Sequence, residues 1–166
     1  MSNDEWFTPD WVLDPIREFY GGQIDLDPFS SPEANDRVRA TRFYTKEDDS
    51  YTQWWYADKI FINPPYSKPN LDKIATSIIS RLQIGTLRHK EICLLVPAYT
   101  SSKWFQKLVI WANGVLFYNK RISFVGSKKG SPLYPNVLMY FGERKEEFFT
   151  KFKEFGWVYL HYLYPF

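Results

Sequence analysis

Unbroken runs of apolar residues alternate along the chain with segments in which apolar residues recur every three or four positions. An unbroken run is typical of a parallel strand covered on both faces, and the wider spacing is typical of an amphipathic helix. Buried strands are predicted at 60–62 and 91–96, and further strands at 115–118 and 137–141. Helices are predicted at 9–20, 71–82, 103–111 and 145–155. This alternation predicts an α/β fold with a mostly parallel sheet and helices on both faces.

Weaker patterns complete the predicted order of elements. Shorter strands are predicted at 23–27, 41–44 and 157–163. Thr8 and Pro9 fit the N-cap and the first position of the first helix. The 166 residues contain no repeat, no low-complexity tract and no linker, so we expect a single domain over residues 1–166.

Composition narrows the class of protein. With 45% hydrophobic and 24% charged residues, the chain is globular rather than disordered. A net charge of +2 and a pI of about 8.5 are too mild to indicate nucleic-acid binding without a local basic patch. Aromatic residues make up 20% of the chain, and some of them could form a surface on which bases stack.

Cysteine usage and hydropathy predict the compartment. The single cysteine, Cys93, lies in an apolar run and can form no internal disulfide, which fits a reducing cytoplasm. We see no apolar segment typical of a signal peptide or a membrane span, and we expect a cytoplasmic protein without a membrane partner. Two His and one Cys make a zinc or di-metal site unexpected.

The most informative stretch is Asn63-Pro64-Pro65-Tyr66, directly after the apolar run 60–62. Each proline fixes its own φ and keeps the preceding residue out of the helical region, so the strand ends in a rigid turn. Neither proline has a backbone N–H, and the turn therefore offers acceptors. In an open α/β sheet such a turn lies at the carboxyl edge, where ligands bind. Acceptors beside an aromatic ring suit an exocyclic amine, such as that of adenine or cytosine.

Several stretches together resemble one family of enzymes. Residues 63–66 look like the catalytic motif of S-adenosylmethionine-dependent methyltransferases that act on DNA bases. Asp27-Pro28, the strings 95–98 and 103–105, and the Arg-Ile-x-Phe string at 121–124 are similar to stretches of the phage-type DNA N6-adenine methyltransferase family. The resemblance covers about residues 4–141. It implies a Rossmann-like class I methyltransferase fold with one antiparallel strand near the end and, for a phage-encoded enzyme, the cytoplasm of the host cell.

The resemblance also implies which residues hold S-adenosylmethionine. Thr8 matches a residue that contacts the methionine end of this cofactor, and Asp27-Pro28 matches an acid-proline pair in the turn that wraps it. Ser30 and Ser31 stand where the family usually has glycines. An acid about fifteen residues before the catalytic motif commonly contacts adenine or ribose. The predicted cofactor-binding residues are Thr8, Pro9, Asp25, Asp27, Pro28, Ser30, Asp48 and Asp49.

For catalysis, the resemblance implies that Asn63 Oδ1 and the Pro64 carbonyl accept the two N–H bonds of the adenine amine, without a covalent intermediate. Tyr66 would stack on the base, which must leave the double-stranded DNA to reach this turn. The predicted catalytic residues are Asn63, Pro64, Pro65 and Tyr66. The predicted nucleic-acid-binding residues are Ser67, Lys68, Lys120, Arg121, Lys128 and Lys129, several of them in a basic loop suited to phosphates.

Two other functions stay open beside adenine N6 methylation of DNA. The same acceptors would serve N4 of cytosine, or a base in RNA. A nucleic-acid-binding module that keeps the fold without activity is the third hypothesis, supported by the serines at 30 and 31. Each motif also has a structural interpretation as a stiff loop, a capped polar turn, an acidic turn or a loop that is basic for solubility. The sequence indicates no oligomeric state.

Overall fold

The computed structural model describes residues 7–126 and 134–162, which form one seven-stranded sheet and five α-helices. The helices are α1 (Asp10–Phe19), α2 (Pro32–Val38), α3 (Lys68–Gln83), α4 (Lys103–Trp111) and α5 (Lys145–Phe152). The strands are β1 (Ile24–Asp27), β2 (Ala40–Phe43), β3 (Lys59–Ile62), β4 (Glu91–Pro97), β5 (Gly114–Tyr118), β6 (Asn136–Phe141) and β7 (Gly156–Leu160). The predicted helices and strands are confirmed, with shifts of a few residues at their ends.

The sheet has the strand order β2-β1-β3-β4-β6-β5-β7. β1 is parallel to β2 and β3, and β3 is parallel to β4. β6 is antiparallel to both β4 and β5, and β7 is antiparallel to β5. Five strands therefore run in one direction and two in the other, where the resemblance implied one reversed strand. The fold is a mixed α/β fold.

Helices cover both faces of this sheet, as predicted. On one face, α3 and α4 pack on side chains such as Ile60, Ile62 and Leu94. On the other face, α1, α2 and α5 pack on side chains such as Phe61 and Leu95. Successive residues of a strand point to opposite faces, which explains why neighbours belong to different clusters. Because both faces are covered, these strands read as unbroken apolar runs in the sequence.

The start of α1 differs from the prediction by one residue. The helix begins at Asp10 with Pro9 as its N-cap, so Thr8 is not the cap. The Pro9 carbonyl accepts hydrogen bonds from the N–H groups of Val12 and Leu13. Thr8 is instead buried, with a side chain that turns toward the residue after β3. Thr8 therefore makes a tertiary contact instead of capping the helix.

One edge of the sheet brings distant parts of the sequence together. The carboxyl ends of β1, β3 and β4 lie side by side, so Asp27, Asn63 and Ala98 meet at this edge. β6 runs the other way, and its first residue, Asn136, pairs with Pro97 at the same edge. We call this the carboxyl edge of the sheet.

Candidate active site

The turn after β3 stands in the middle of the carboxyl edge and is anchored at Asn63. The Asn63 Nδ2 group donates a hydrogen bond to the Thr8 hydroxyl at 3.1 Å. Thr8 is only 3% exposed, so this contact fixes the orientation of the carboxamide from the protein interior. Because the nitrogen and oxygen of an amide point in different directions, a nitrogen that faces Thr8 turns the acceptor oxygen away from it.

Tyr66 closes the same turn and is held at its hydroxyl. The hydroxyl accepts a hydrogen bond from Asn136 Nδ2 at 3.2 Å and donates to the Leu95 carbonyl at 3.4 Å. Its ring meets Phe124 edge-to-face, with centroids 5.9 Å apart. Burial raises the pKa of Tyr66 well above its usual range, so the phenol stays neutral. The hydroxyl is an anchor, and the partly exposed ring remains as the accessible part of the side chain.

Asp27 ends β1 as a buried carboxylate, 2% exposed. Its Oδ1 accepts a hydrogen bond from the Phe29 N–H at 3.1 Å. Burial raises the pKa of Asp27 to about 7, against the lowering effects of the Phe29 N–H and the Ser30 hydroxyl. No Lys or Arg of the described residues forms an ion pair with it. When Asp27 is ionised, its charge therefore has no positive partner in the described residues, and a bound cation would supply one.

A cavity of about 590 Å³ lies between Asp27 and the turn after β3. Small-molecule sites in proteins have volumes of roughly 300–1,000 Å³, so the cavity has the size of a ligand site. Its walls come from Phe7 and Thr8, residues 27–34, the loop after β2, residues 63–66 and Asn70. The sequence-predicted residues that line it are Thr8, Asp27, Pro28, Ser30, Asp49, Asn63, Pro64, Pro65 and Tyr66.

The loop after β2 contributes a mixed aromatic and polar wall. The Tyr51 and Phe29 rings lie 5.1 Å apart between centroids. Burial, and secondarily the Asp49 charge, raise the pKa of Tyr51 to about 12. The buried hydroxyl oxygens of Ser50 and Tyr51 have no hydrogen-bond partner within residues 7–126 and 134–162. Buried polar atoms usually have partners, so these two hydroxyls suit a polar ligand in the cavity.

Three predicted cofactor residues do not line the cavity. The Asp25 carboxylate accepts the N–H groups of Asp58 and Lys59 at the start of β3, near the opposite edge of the sheet. Asp48 closes a capping box with Thr45, and these hydrogen bonds lower the pKa of Asp48. Pro9 caps α1. The structure thus brings Asp49, rather than Asp48, to the cavity.

Four of the predicted nucleic-acid-binding residues are exposed just after β3 or β5, at the carboxyl edge of the sheet. Ser67 and Lys68 are exposed at the start of α3, where Ser67 Oγ accepts a bond from Asn70. Lys120 and Arg121 are exposed after β5, and Lys120 Nζ lies 4.1 Å from the centroid of the Trp11 ring. The predicted residues Lys128 and Lys129 fall outside the described residues.

Several residues at the site were not expected from the sequence. Asn136 belongs to no motif. The sequence shows only that it is a polar residue after Pro135 at the start of an apolar strand, which is a weak indication of a role. Phe29 and Tyr51 read as ordinary core aromatics, and Ser50 as a loop residue. Glu47 lies in the acidic run 47–49 and lines the cavity together with Asp49. Local sequence cannot indicate such contacts because they depend on which strand ends meet.

The charge along the chain is unevenly distributed. Between Glu91 and Glu143 the sequence has six Lys or Arg residues and no Asp or Glu. Because the whole chain has a net charge of +2, the remainder carries −4. The acid-free part includes α4 and the ends of β4 and β5, on the same edge as Asn63. This acid-free part of the chain is therefore positively charged and suits a polyanion.

The described residues contain neither a metal-binding cluster nor a helix that could cross a membrane. No group of three or more His, Cys, Asp or Glu in that part of the chain could hold a metal ion. None of the helices in 7–126 and 134–162 has the length and apolar character needed to cross a membrane.

The cavity, the turn of acceptors and the basic flank are features of an enzyme that modifies a base, and comparison with known proteins agrees. Residues 1–141 match the family model described as DNA N-6-adenine-methyltransferase (Dam). The match covers most of the chain, which therefore belongs to this family and is an adenine-specific DNA methyltransferase that acts on N6.

A curated relative from a phage supports the same assignment. The chain is 29% identical over 130 residues to the DNA N-6-adenine-methyltransferase of Haemophilus phage HP1 (strain HP1c1). The aligned part covers 78% of this chain and 70% of the phage protein. No solved structure gives a significant match.

Proposed function

We propose that this chain is a Rossmann-like methyltransferase domain, spanning residues 1–166, that transfers a methyl group from S-adenosylmethionine to an adenine flipped out of duplex DNA. The observation that carries the proposal is that Asp27 and Asn63 both line the same cavity. Helices on both faces of the sheet, and a reversed strand between β4 and β5, support the fold assignment. The enzyme would act in the cytoplasm, that of a host cell if it is phage-encoded.

The residues around the cavity fit S-adenosylmethionine. The ligand carries an ammonium and a sulfonium group, and the uncompensated Asp27 carboxyl suits a cation. Its adenine is a flat polar ring, and the wall of Phe29, Tyr51 and the partnerless Ser50 hydroxyl suits such a ring. When bound, the cofactor supplies an activated methyl group. Thr8, Pro28, Ser30 and Asp49 complete the proposed cofactor-binding set.

Asp27 links cofactor binding to pH. With a pKa of about 7, its carboxyl group is largely protonated in mildly acidic solution and ionised in mildly basic solution. A cationic ligand prefers the ionised form, so we expect affinity to fall as the pH drops below about 7.

On the other side of the cavity, Asn63 and Pro64 are proposed to orient the target amine. The amine is a poor nucleophile because its lone pair is delocalised into the adenine ring. Acceptance of its two N–H bonds by Asn63 Oδ1 and the Pro64 carbonyl draws the nitrogen toward a tetrahedral shape. Thr8 supports this role because it accepts a hydrogen bond from Asn63 Nδ2, which turns the acceptor oxygen Oδ1 away from Thr8. Pro65 keeps the turn rigid.

Tyr66 is proposed to stack on the flipped base. Two hydrogen bonds hold its hydroxyl, so the ring plane is set before the base arrives. Duplex DNA would approach over the acid-free side of the mouth, with Lys120 and Arg121 near its phosphates and Ser67 and Lys68 on the other flank. The basic loop with Lys128 and Lys129 is proposed for the same role.

The test combines binding and product analysis of the purified full chain. Calorimetry with S-adenosylmethionine at pH 8, with and without duplex DNA, should give micromolar binding that Asp27→Asn removes. Mass spectrometry of digested DNA after reaction should then show N6-methyl-2′-deoxyadenosine. N4-methylcytosine, or a product in RNA alone, would contradict the adenine and DNA assignments. Absence of cofactor binding even with DNA would overturn the proposed cofactor site.

A further inference from the structure

The last strand of the sheet, β7, has a free edge and an exposed face. It pairs with β5 on one side, and no other strand within the described residues covers its outer edge. Gly156–Leu160 contains neither a charged residue nor a proline, which are the usual means of keeping edge strands apart. Trp157 is 67% exposed and Tyr159 is 46% exposed on the same face. Such an edge is a template for another strand.

Exposed apolar side chains concentrate around this strand. Nine large hydrophobic residues are exposed in the described parts of the chain, and four of them fall within residues 149–162. They are Phe149, Trp157, Tyr159 and Tyr162. Trp157 and Tyr159 are neighbours on one face of β7, with ring centroids 6.4 Å apart, and adjacent exposed rings of this kind mark an interaction surface.

The hydrogen bonds at the two ends of β7 fix which of its backbone groups point outward. The Phe155 carbonyl accepts a bond from Asn119, and the His161 N–H donates to Asn113, both next to β5. Bonded and non-bonded pairs alternate along an antiparallel ladder, so the odd-numbered residues of β7 bond to β5. The backbone groups that point to the free edge are those of Gly156, Val158 and Leu160.

A second copy of the same strand fits this edge. In an antiparallel pair centred on Val158, the outward groups of both Val158 residues bond to each other, and Gly156 meets Leu160 of the second copy. The same register sets Trp157 opposite Tyr159 of the second copy, on the exposed face. Aromatic pairs directly across two strands stabilise a sheet. The strand is therefore complementary to itself in both its backbone and its side chains.

We propose that the chain forms a symmetric dimer in which two copies of β7 pair antiparallel about Val158. Residues 144–154 beside the strand carry four Lys or Arg and three Glu, so this surface is nearly neutral and does not repel a second copy. On the pairing face, the exposed parts of Trp157 and Tyr159 offer roughly 250 Å² per copy, and the paired backbone and the opposite face beside α5 supply more. Two-fold dimers are also the commonest assemblies.

The symmetry determines how the two catalytic sites are arranged. A two-fold axis through Val158 reverses the strand direction of the second sheet, so the two carboxyl edges face opposite sides. Each copy then binds DNA by itself and receives no residue from the other. The dimer proposal is independent of the proposed methyltransferase function. If the chain proves to be a monomer, the proposed function is not affected.

Sedimentation velocity of the full chain over an about hundredfold range of concentration tests the dimer. We expect the wild type to approach twice the chain mass of 19.8 kDa. Trp157→Lys should stay monomeric because it places a charge on the pairing face. The matched control is Trp54→Lys: Trp54 is 60% exposed on the loop before β3, far from β7 in the sheet order, and this variant should dimerise like the wild type.

A second variant separates strand pairing from simple loss of an aromatic ring. Val158→Pro removes an N–H that points outward while keeping the bonds to β5, and it should also be monomeric. A wild type that stays monomeric throughout, or both variants dimerising like the wild type, would overturn the proposal. Circular dichroism and urea unfolding should give the same secondary structure and a similar unfolding midpoint for Trp157→Lys as for Trp54→Lys, which shows that each copy is still folded.

Discussion

Asp27 and Glu91 are two poorly exposed carboxylates at opposite edges of the same sheet, and their surroundings differ. Glu91 starts β4, has a side chain that is 17% exposed, and receives hydrogen bonds from Arg144 and from the Tyr140 hydroxyl at 2.9 Å. Arg144 also bonds to the Phe19 carbonyl, so this charge pair ties α1 to the start of α5. Asp27 is more deeply buried and forms no ion pair with any described residue.

We interpret the difference as that between a structural charge and a charge that is available to a ligand. At the Glu91 edge the protein neutralises its own charge, although a shallow depression of about 860 Å³ surrounds Arg144. At the carboxyl edge the smaller cavity holds a carboxyl group whose pKa is raised to about 7 and two hydroxyls that lack partners in the described residues. We therefore infer that buried polar groups without partners, rather than the size of a depression, mark a ligand site, because a ligand can supply the missing partners.

The sharpest test of this distinction is Asn63→Ala, which removes one acceptor from the carboxyl edge. We expect the methylation rate to fall by about 10²–10³-fold, as for loss of one preorganised catalytic group. Affinity for S-adenosylmethionine should change little, and the free energy of unfolding should fall by only about 1 kcal/mol, because the buried Thr8 hydroxyl loses its hydrogen bond to Asn63. Single-turnover kinetics on duplex DNA measures the effect. Near-normal activity would show that Asn63 is not catalytic.

Arg144→Met tests the other edge. The change leaves Glu91 partly buried without its charge partner, and we expect a loss of about 2 kcal/mol, less than for a fully buried pair because Arg144 is one-third exposed. Urea unfolding measures this loss. Lys151→Met, which breaks the more exposed pair with Glu18, is the matched control and should cost well under about 1 kcal/mol. Activity per folded molecule should be unchanged in both variants.

Asp27→Asn should separate stability from function at a single residue. The unfolded chain ionises Asp27 near its ordinary pKa of 3.8, and the folded chain ionises it at about 7. The wild type therefore loses stability as the pH rises from about 4 to about 7, and Asn has no such loss. We expect Asp27→Asn to be more stable by about 4 kcal/mol at pH 8, because the pKa rises from 3.8 to about 7 on folding and each pKa unit corresponds to about 1.4 kcal/mol. The two proteins should be nearly equal in stability near pH 4, while the variant loses cofactor affinity.

Urea unfolding at several pH values checks this sign. A variant that is less stable than the wild type at every pH would mean that the Asp27 charge is already balanced within the folded chain. In the wild type, cofactor affinity should also fall below pH 7, whereas any residual affinity of Asp27→Asn should not depend on this group.

The sequence was sufficient for much of the fold and for the centre of the site. Unbroken runs such as 92–96 identified buried strands because both faces of the sheet are covered. Asn63–Tyr66 was identifiable because two prolines fix local geometry whatever surrounds them. Thr8 was predicted in two roles, and the helix cap was wrong because its hydroxyl bonds to Asn63 instead.

What could not be predicted depends on tertiary register. Asp48 and Asp49 are equivalent in the sequence, and a local capping bond to Thr45 decides which of them faces the cavity. Asn136 reaches Tyr66 because β6 is reversed and begins at the carboxyl edge. No spacing rule connects positions 66 and 136.

The smallest effect that we predict is at Asn136. Its Nδ2 bond to the Tyr66 hydroxyl fixes the ring, while its buried Oδ1 has no partner within the described residues. Asn136→Ala should therefore cost little stability, since the atom it removes is already unsatisfied, and should lower the methylation rate about five- to tenfold through a looser ring.

A double-mutant cycle with Tyr66→Phe tests that route. If Asn136 acts through the Tyr66 hydroxyl, the double variant should be no slower than either single variant, and 2-aminopurine at the target position should report a less ordered flipped base in all three. Asn113→Ala is the control, because Asn113 Oδ1 accepts the Gly142 N–H at the opposite edge and should affect stability alone. Additive rate losses would mean that Asn136 contacts the substrate or the cofactor independently of Tyr66.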